Sequence, residues 1–330
     1  MQLKYYKNIT LLMVLIMLFA GCKKINEPLL PSVPQVLQND CIKRTLGPNV
    51  VGLNIEFAYA MALPKSLGKI VSAQVTASIA GATGTYMDNN SYYTNGGGVD
   101  VGIPVGSASV TTDTKTVVTF TKDTCAATLR YFYTIPEAAR GQSVTFTFSA
   151  TASNGQTVSY TMGPYTCTKM AMNLDQIGVD GKACYFSIAD MTFYDATYAA
   201  ANPTKIDLVY LYRAITGITF AHALVSPGAS TDYLPGVTLP TGVTNSTKMI
   251  KTWNLNDQNL ARLQYGIFID DADFPALDFT NMPNYAINLK ALSGVWVETA
   301  DGKYRAYIYV NAINNTTPSM TVSIKRYQMK

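Results

Sequence analysis

Strict alternation of apolar and polar residues over positions 143–150 is the clearest pattern in the first half of the chain. Serine and threonine fill the positions between four apolar residues, Val144, Phe146, Phe148 and Ala150. A period of two predicts a β-strand that buries one face. Residues 70–79 alternate in the same way, and Asn154-Gly155 predicts a tight turn between strands. Several short strands at this spacing predict an immunoglobulin-like β-sandwich over residues 41–169.

The pattern in the second half, residues 170–330, also predicts β-structure. Residues 206–213 are largely apolar on both faces, which is typical of a strand buried on two sides. Residues 257–265 are the best helix candidate, with Asn256 or Asp257 as the N-cap and Gly266 as a stop. The sequence therefore predicts an all-β protein of two sandwich domains, with a linker near residues 169–180.

A hairpin near the C-terminal end carries the candidate binding face. Asp301-Gly302 predicts a two-residue turn, which fixes how residues 295–300 pair with residues 303–310. One face of this hairpin is apolar and is predicted to enter the core. The other face mixes aromatic, charged and amide side chains: Trp296, Glu298, Arg305, Tyr307, Tyr309 and Asn311.

This mixed face is the leading candidate for a ligand-binding site. Sugar rings stack on aromatic side chains through their C–H groups, and nearby polar groups can hydrogen-bond the hydroxyls. The alternative is that Trp296 and Tyr307 form a second small core, covered by the loop at residues 231–248.

The N-terminal segment predicts export and lipid attachment. Lys4 and Lys7 precede a short apolar stretch at residues 9–19, which is the pattern of a signal peptide over residues 1–21. Residues 18–22 resemble a bacterial lipobox, in which the cysteine, here Cys22, is acylated. An ordinary secretory signal that happens to contain a cysteine is the alternative.

A tether is predicted after the acylated cysteine, over residues 22–40. Its prolines Pro28, Pro31 and Pro34 recur at every third residue, the period of a polyproline II helix. The lipid anchor makes the membrane a predicted partner, and the predicted location is the cell envelope, at the outer membrane.

Composition narrows the partners and the chemistry. Charged residues make up 14% of the chain and the net charge is +4, with no arginine cluster or basic stripe, so a nucleic-acid partner is not expected. Four cysteines follow Cys22, and an exported chain could pair them, for example Cys41 with Cys125 and Cys167 with Cys184, or leave them as free thiols. No cofactor motif is present, and no cofactor is predicted.

Two further segments are weaker candidates. Residues 86–98 combine tyrosine, asparagine and glycine, a composition suited to an adaptable contact surface, with Tyr86, Asn89, Tyr92 and Tyr93 as candidate ligand contacts. The alternative is a flexible loop between strands. Asp270, Asp271 and Asp273 could supply oxygen ligands to calcium, although their spacing does not match an EF-hand and capping aspartates in a turn explain it as well.

Catalysis has little support in the sequence. His222 is the only histidine, and its apolar neighbours indicate a packed side chain. Neither the G-x-S-x-G motif nor the H-E-x-x-H motif occurs. A pair of carboxyl groups for glycoside hydrolysis needs only proximity in space, so a hydrolase stays open as the least favoured alternative.

Several stretches resemble uncharacterised Bacteroides-type envelope lipoproteins, which are families of unknown function. The resemblance is carried by the lipobox ending at Cys22, the proline-bearing tether, residues 52–61 and residues 296–307. It implies an immunoglobulin-like N-terminal module and an association with glycan-uptake systems. The expected function is a non-catalytic envelope lipoprotein that binds an extended ligand such as a glycan through its second domain. The alternative is a structural or adhesive protein with another envelope protein as its partner.

Overall fold

The computed structural model describes residues 36–330, and strands β1–β11 build the first half of this part. Their bounds are β1 (Gln38–Lys43), β2 (Asn54–Ala62), β3 (Ile70–Ala77), β4 (Tyr86–Met87), β5 (Asn90–Thr94), β6 (Asp100–Pro104), β7 (Val110–Thr112), β8 (Lys115–Thr119), β9 (Ala126–Thr134), β10 (Ser143–Ala152) and β11 (Thr157–Thr166). Two antiparallel sheets, ordered β1-β2-β9-β4 and β11-β10-β3-β8-β7, form a sandwich, and β5 pairs with β6 in a separate hairpin.

Alternating side chains fill the core of this first sandwich. The alternation predicted at positions 143–150 is confirmed, because β10 buries Val144, Phe146, Phe148 and Ala150. The Phe146 ring lies 4.8 Å from the ring of Phe57 on the opposite sheet, measured between centroids. Aromatic pairs of this kind stabilise a core beyond the area that they bury.

Strands β12–β21 build the second sandwich. Their bounds are β12 (Ala171–Val179), β13 (Tyr185–Ser187), β14 (Thr192–Tyr194), β15 (Leu208–Ile215), β16 (Ile218–Val225), β17 (Lys248–Trp253), β18 (Tyr285–Leu289), β19 (Ser293–Glu298), β20 (Tyr304–Asn314) and β21 (Ser319–Gln328). The sheets are ordered β12-β21-β20-β19-β17 and β14-β13-β15-β16-β18. The edge strands β17 and β18 therefore belong to different sheets, and they lie next to each other along one side of the sandwich.

Three short helices accompany the second sandwich: α1 (Ala196–Ala201), α2 (Gln258–Ala261) and α3 (Asp273–Ala276). The helix predicted over residues 257–265 is shorter than expected. The side chain of Asp257 caps it as predicted, but Arg262 adopts a left-handed conformation and ends it four residues before Gly266. The prediction for β15 holds, since Leu208–Leu211 are all buried.

Two predicted connecting segments are partly strand. Strand β1 begins at Gln38, within the predicted tether, because its residues pair with β2. Strand β12 occupies most of the predicted linker at residues 169–180, where it pairs with β21. Cys22, the predicted signal peptide and the predicted tether up to residue 35 lie outside the described residues.

The four described cysteines are free thiols, so the pairings Cys41–Cys125 and Cys167–Cys184 are not formed. Burial raises the pKa of Cys41 to about 12 and that of Cys184 to about 11, which keeps both thiols protonated and unreactive. No helix within residues 36–330 is long and apolar enough to cross a membrane.

Candidate ligand-binding site

The hairpin register predicted from Asp301-Gly302 is confirmed. Glu298 lies opposite Arg305, and Trp296 lies opposite Tyr307, in the pairing of β19 with β20. Gly302 has a φ of 63°, the left-handed conformation that this turn needs. The predicted face is therefore present on the sheet.

This face is covered by protein rather than open to a ligand. Trp296 retains 6% of its surface exposure, Tyr309 retains 2% and Tyr307 none. The cover consists of residues 255–279, which include α2 and α3 and bury Leu260, Ile269, Phe274 and Phe279 against the face. The hypothesis of an open aromatic site is thereby corrected, because the cover occupies the space that a sugar ring would need.

Each polar group of the face is engaged by the cover or by a neighbouring strand. The Tyr307 hydroxyl donates to the carbonyl of Leu255 at 2.7 Å, and the Tyr309 hydroxyl donates to Oδ1 of Asn256 at 3.0 Å. The amide of Asn311 donates to the carbonyl of Leu260 at 2.8 Å.

The charged pair of the face is also part of this second core. The guanidinium of Arg305 pairs with Glu298 at 2.7 Å and donates to the carbonyls of Phe274 and Leu277 in the cover. A second small core is thus what the structure shows. Its covering segment is residues 255–279 and not the loop at residues 231–248, whose Leu234 and Val243 pack into the sandwich core instead.

A buried ion pair fixes the cover in place. Nζ of Lys325 on β21 lies 2.6 Å from the carboxylate of Asp257, and both side chains are fully buried. The ammonium also donates to Asn259 and to the carbonyl of Ile269. Burial lowers the pKa of Lys325 and the nearby Asp257 opposes that shift. Because every hydrogen of the ammonium has an acceptor, the pair tolerates its burial.

The aspartates proposed as metal ligands act as hydrogen-bond acceptors instead. The carboxylate of Asp271 accepts the backbone N–H groups of Lys169 and Met170, which joins the cover to the start of the second half. Asp270 accepts from Ala272, and Asp273 accepts from the backbone of Asp270. The part of the chain that the structure describes contains no group of three metal-ligating side chains.

The segment proposed as an adaptable loop is largely a hairpin, because β5 pairs with β6. Tyr92 donates to Asp88 at 2.6 Å and lies under the guanidinium of Arg130, and Tyr86 stacks on Phe132 at 4.8 Å. The Asn89 amide donates to the carbonyl of Gly106. Tyr93 is exposed. Three of the four candidate side chains are therefore already engaged within the domain.

His222 is a packed core residue, as predicted. Its ring is fully buried, with Nδ1 at 2.8 Å from the Tyr210 hydroxyl and Nε2 at 2.7 Å from Oδ1 of Asn315. Burial lowers its pKa, which favours the neutral ring. Both ring nitrogens have partners, so the histidine is not free for catalysis.

An open cleft lies at the other tryptophan of the chain. Trp253 ends β17 with 60% of its surface exposed. The cleft beside it encloses about 300 Å³ and is lined by Lys251, Thr252, Trp253, Asn288, Lys290 and Ser293. These residues come from the two edge strands β17 and β18 and from the turn into β19.

A β-bulge in β18 supplies the polar group of the cleft. His222 pairs with Leu289 and Leu224 pairs with Ala286, so the two residues Ile287 and Asn288 stand opposite one residue of β16. Asn288 has a φ of 53°, and bulges with a left-handed residue turn a side chain away from its regular direction. Its Oδ1 is buried and finds no hydrogen-bond partner among the described residues.

The backbone around the cleft is held in an uncommon conformation. Asn254, Asn288 and Leu292 all have positive φ values, at 58°, 53° and 72°. A left-handed conformation is costly for leucine, and such residues cluster at binding sites. The backbone N–H of Asn254 donates to the carbonyl of Leu292 at 3.0 Å, so these turns brace one another beside Trp253.

Sequence reasoning missed the Trp253 cleft. The chain has two tryptophans, and the hairpin pattern drew attention to Trp296. The available signal was a tryptophan followed by asparagine at the end of an apolar segment, which is weak on its own. The bulge at Asn288 leaves no mark in the hydrophobic pattern of β18.

Comparison with known proteins assigns the family. A model of the DUF4466 domain of unknown function matches residues 34–167, and a model of the DUF8576 domain of unknown function matches residues 168–329. A crystal structure of a DUF4466 family protein from Parabacteroides merdae is 50% identical, with a TM-score of 0.84 over 89% of this chain and 99% of that one. The chain belongs to the DUF4466 family.

Two other solved structures that match this chain are only distantly similar to it. The major pilin subunit of Bacillus cereus is 9% identical, covering 86% of this chain and 63% of its own, with a TM-score of 0.27. A fragment of the major pilin of Streptococcus agalactiae is 10% identical, covering 87% and 91%, with a TM-score of 0.29. Such scores are too low to support an argument. No curated protein matched the chain.

Proposed function

We propose that this chain is a non-catalytic lipoprotein of the cell envelope that binds an extended saccharide through its second domain. The observation that carries the proposal is the exposed ring of Trp253 beside a cleft of polar side chains. An exposed indole presents an apolar face and a polar N–H group, and a pyranose ring can stack on that face through its C–H groups.

The polar groups of the cleft suit hydroxyl recognition. The side-chain amide of Asn288 lines the cleft, and an amide can bond a saccharide hydroxyl as donor or as acceptor.

A matched pair of aromatic variants tests the proposal. Trp253→Ala is expected to abolish retention on polysaccharide affinity gels, while the control Tyr265→Ala, which removes another exposed ring, leaves retention unchanged. Both side chains lie mostly in water, so neither change should alter the unfolding temperature. If Trp253→Ala is retained as strongly as the unmodified protein on every gel that retains it, the proposed site is wrong.

The proposed lipid anchor is tested separately. A Cys22→Ser variant is expected to take up no label from a palmitate analogue and to leave the membrane fraction. Incorporation of label by this variant would remove Cys22 as the attachment point.

One observation favours a protein partner as the second candidate function. Leu263, Tyr265 and Ile267 alternate along the cover with large exposed apolar side chains. A row of this kind fits a protein interface better than a sugar. Crosslinking in intact membranes would separate the two functions, because an adhesive protein is expected to lose its crosslinked partner with Tyr265→Ala and to keep it with Trp253→Ala.

A further inference from the structure

The Trp253 cleft carries positive charge that the protein does not neutralise. Two of its six lining residues are the exposed lysines Lys251 and Lys290, and none of the six is acidic. Neither lysine forms an ion pair within 4.0 Å anywhere in residues 36–330, whereas Lys205 and Lys325 of the same domain do. The charge is therefore available to a ligand.

Lys251 is held at the cleft rather than extended into solvent. Its Nζ donates to the carbonyl of Ile287 at 2.9 Å, and this carbonyl belongs to the bulge that also presents Asn288. An ammonium has three N–H donors, so two remain for a ligand. The bulge thus places a cation with free donors next to the residue whose amide lines the cleft, Asn288.

Lys290 supplies the second cation from the turn between β18 and β19. The turn is held by the backbone N–H of Lys290, which donates to Oγ of Ser293, and by the N–H of Ser293, which donates to the carbonyl of Lys290, each at 3.0 Å. Ser293 pairs with Trp253 across the sheet. The turn therefore carries the lysine close to the exposed indole.

We infer that the Trp253 cleft selects an acidic saccharide. The sugar ring stacks on Trp253, a ring hydroxyl bonds the side-chain amide of Asn288, and a carboxylate or sulfate group accepts hydrogen bonds from Lys251 and Lys290. This inference rests on the proposed function and adds the class of ligand. A neutral glycan would use the indole and the amide and would leave both cations unpaired.

The test compares polymers that differ only in charge. The probes are polygalacturonate, hyaluronan and chondroitin sulfate. Each is compared with its carboxyl-reduced or desulfated counterpart in affinity gel electrophoresis of the protein with both domains present. The variants are Trp253→Ala, the double change Lys251→Gln with Lys290→Gln, and the control Lys69→Gln with Lys122→Gln, which removes the same charge from exposed positions of the first domain.

At least one acidic probe is expected to retain the protein. This retention is expected to weaken when the probe is neutralised and when salt is added. The double change in the cleft is expected to weaken binding by about 2-fold to 30-fold, the range for two exposed ion pairs, and the control is expected to change nothing. A variant that binds more weakly without a fall in unfolding temperature excludes misfolding.

Several results would overturn the inference and leave the proposed function standing. Equal retention of acidic and neutralised probes is one, and unchanged affinity in the cleft double variant is another, provided that Trp253→Ala still abolishes binding. Retention of neutral polysaccharides alone is a third. If Trp253→Ala has no effect on any retained probe, the site itself is wrong and both proposals fall together.

Discussion

The two tryptophans of this chain lie in the same sheet and have opposite surroundings. Trp296 is in β19 with its ring against Tyr307 at 4.6 Å and the edge of Phe274 at 5.6 Å. Trp253 is at the end of the neighbouring strand β17, three residues after Ile250, the partner of Trp296, so it points to the opposite face of the sheet from the cover, and 60% of its surface is exposed. In this chain, the tryptophan on the mixed polar and aromatic face, Trp296, belongs to a core, and the tryptophan at the strand end, Trp253, belongs to the open surface.

The difference shows what the aromatic pattern of a strand can establish. Polar neighbours such as Glu298 and Asn311 suggested an exposed face, but each of them bonds a backbone carbonyl or a charged partner beneath the cover. Polar side chains can line a buried surface when they satisfy the backbone groups of an irregular segment. Here these polar side chains hold the cover, with its two four-residue helices, on the sheet.

The largest expected effect comes from truncating each tryptophan. Trp296→Ala is expected to lower the free energy of unfolding by about 3–5 kcal/mol, because it leaves a cavity between the sheet and the cover. Trp253→Ala is expected to change it by about 0.5 kcal/mol or less. Urea denaturation of both variants measures the difference, and similar losses for the two would show that the contrast in burial has no energetic counterpart.

The sequence predicted local features of the covered face but neither the segment that covers it nor the open cleft. The turn at Asp301-Gly302 fixed the pairing of Trp296 with Tyr307, since the register of a two-residue hairpin is a local property. The same is true of the N-cap at Asp257, whose carboxylate accepts from the backbone of Leu260 three residues later. Such features depend on neighbours along the chain.

The cover and the cleft depend on distant contacts. The Tyr307 hydroxyl meets the carbonyl of Leu255, 52 residues earlier, and Lys325 meets Asp257 across 68 residues. A lone lysine in an apolar strand gives no sign of which carboxylate will pair with it. The bulge at Asn288 is set by pairing with β16 and is likewise invisible in the sequence of β18 alone.

An intermediate effect is expected from replacing two asparagines, Asn311 on the covered face and Asn288 in the open cleft. Asn311 donates to the cover at Leu260 and accepts from the hydroxyl of Ser323, so Asn311→Ala is expected to lower the free energy of unfolding by about 1–3 kcal/mol. Asn288→Gly keeps a residue that tolerates the left-handed conformation, and its expected change in stability is within about 1 kcal/mol.

The two asparagine variants are also expected to differ in binding. Asn288→Gly removes the amide that lines the cleft and should weaken retention on any saccharide that Trp253 binds, whereas Asn311→Ala should bind normally at temperatures where it is folded. Affinity gels run at low temperature measure this difference. A loss of binding only in Asn311→Ala would move the site from the cleft to the covered face.

A pH dependence separates two buried carboxyl groups of the second domain. Asp257 in the cover has Lys325 as its counter-charge, while Asp207 has no cation within 4.0 Å in the described chain. Burial raises the pKa of Asp207 from 3.8 to about 7, and the backbone N–H of Ile188, which donates to its carboxyl at 2.8 Å, opposes the shift. Asp301 and Asp190 add to the rise.

The sign of this dependence follows from the direction of the shift. Between about pH 4 and pH 7 the folded state keeps a proton on Asp207 that the unfolded state has released, so the free energy of unfolding falls as the pH rises, by at most about 1.4 kcal/mol per pH unit. Above pH 7 the contribution is constant.

Asp207→Asn is expected to gain stability relative to the unmodified protein from pH 5 to pH 7, as measured by urea denaturation at each pH. The buried His222, whose lowered pKa removes stability at acidic pH, is common to both proteins and cancels in the difference. A difference that stays constant over this range would mean that Asp207 is ionised in the fold, and that a buried carboxylate here does without the counter-charge that Lys325 gives to Asp257.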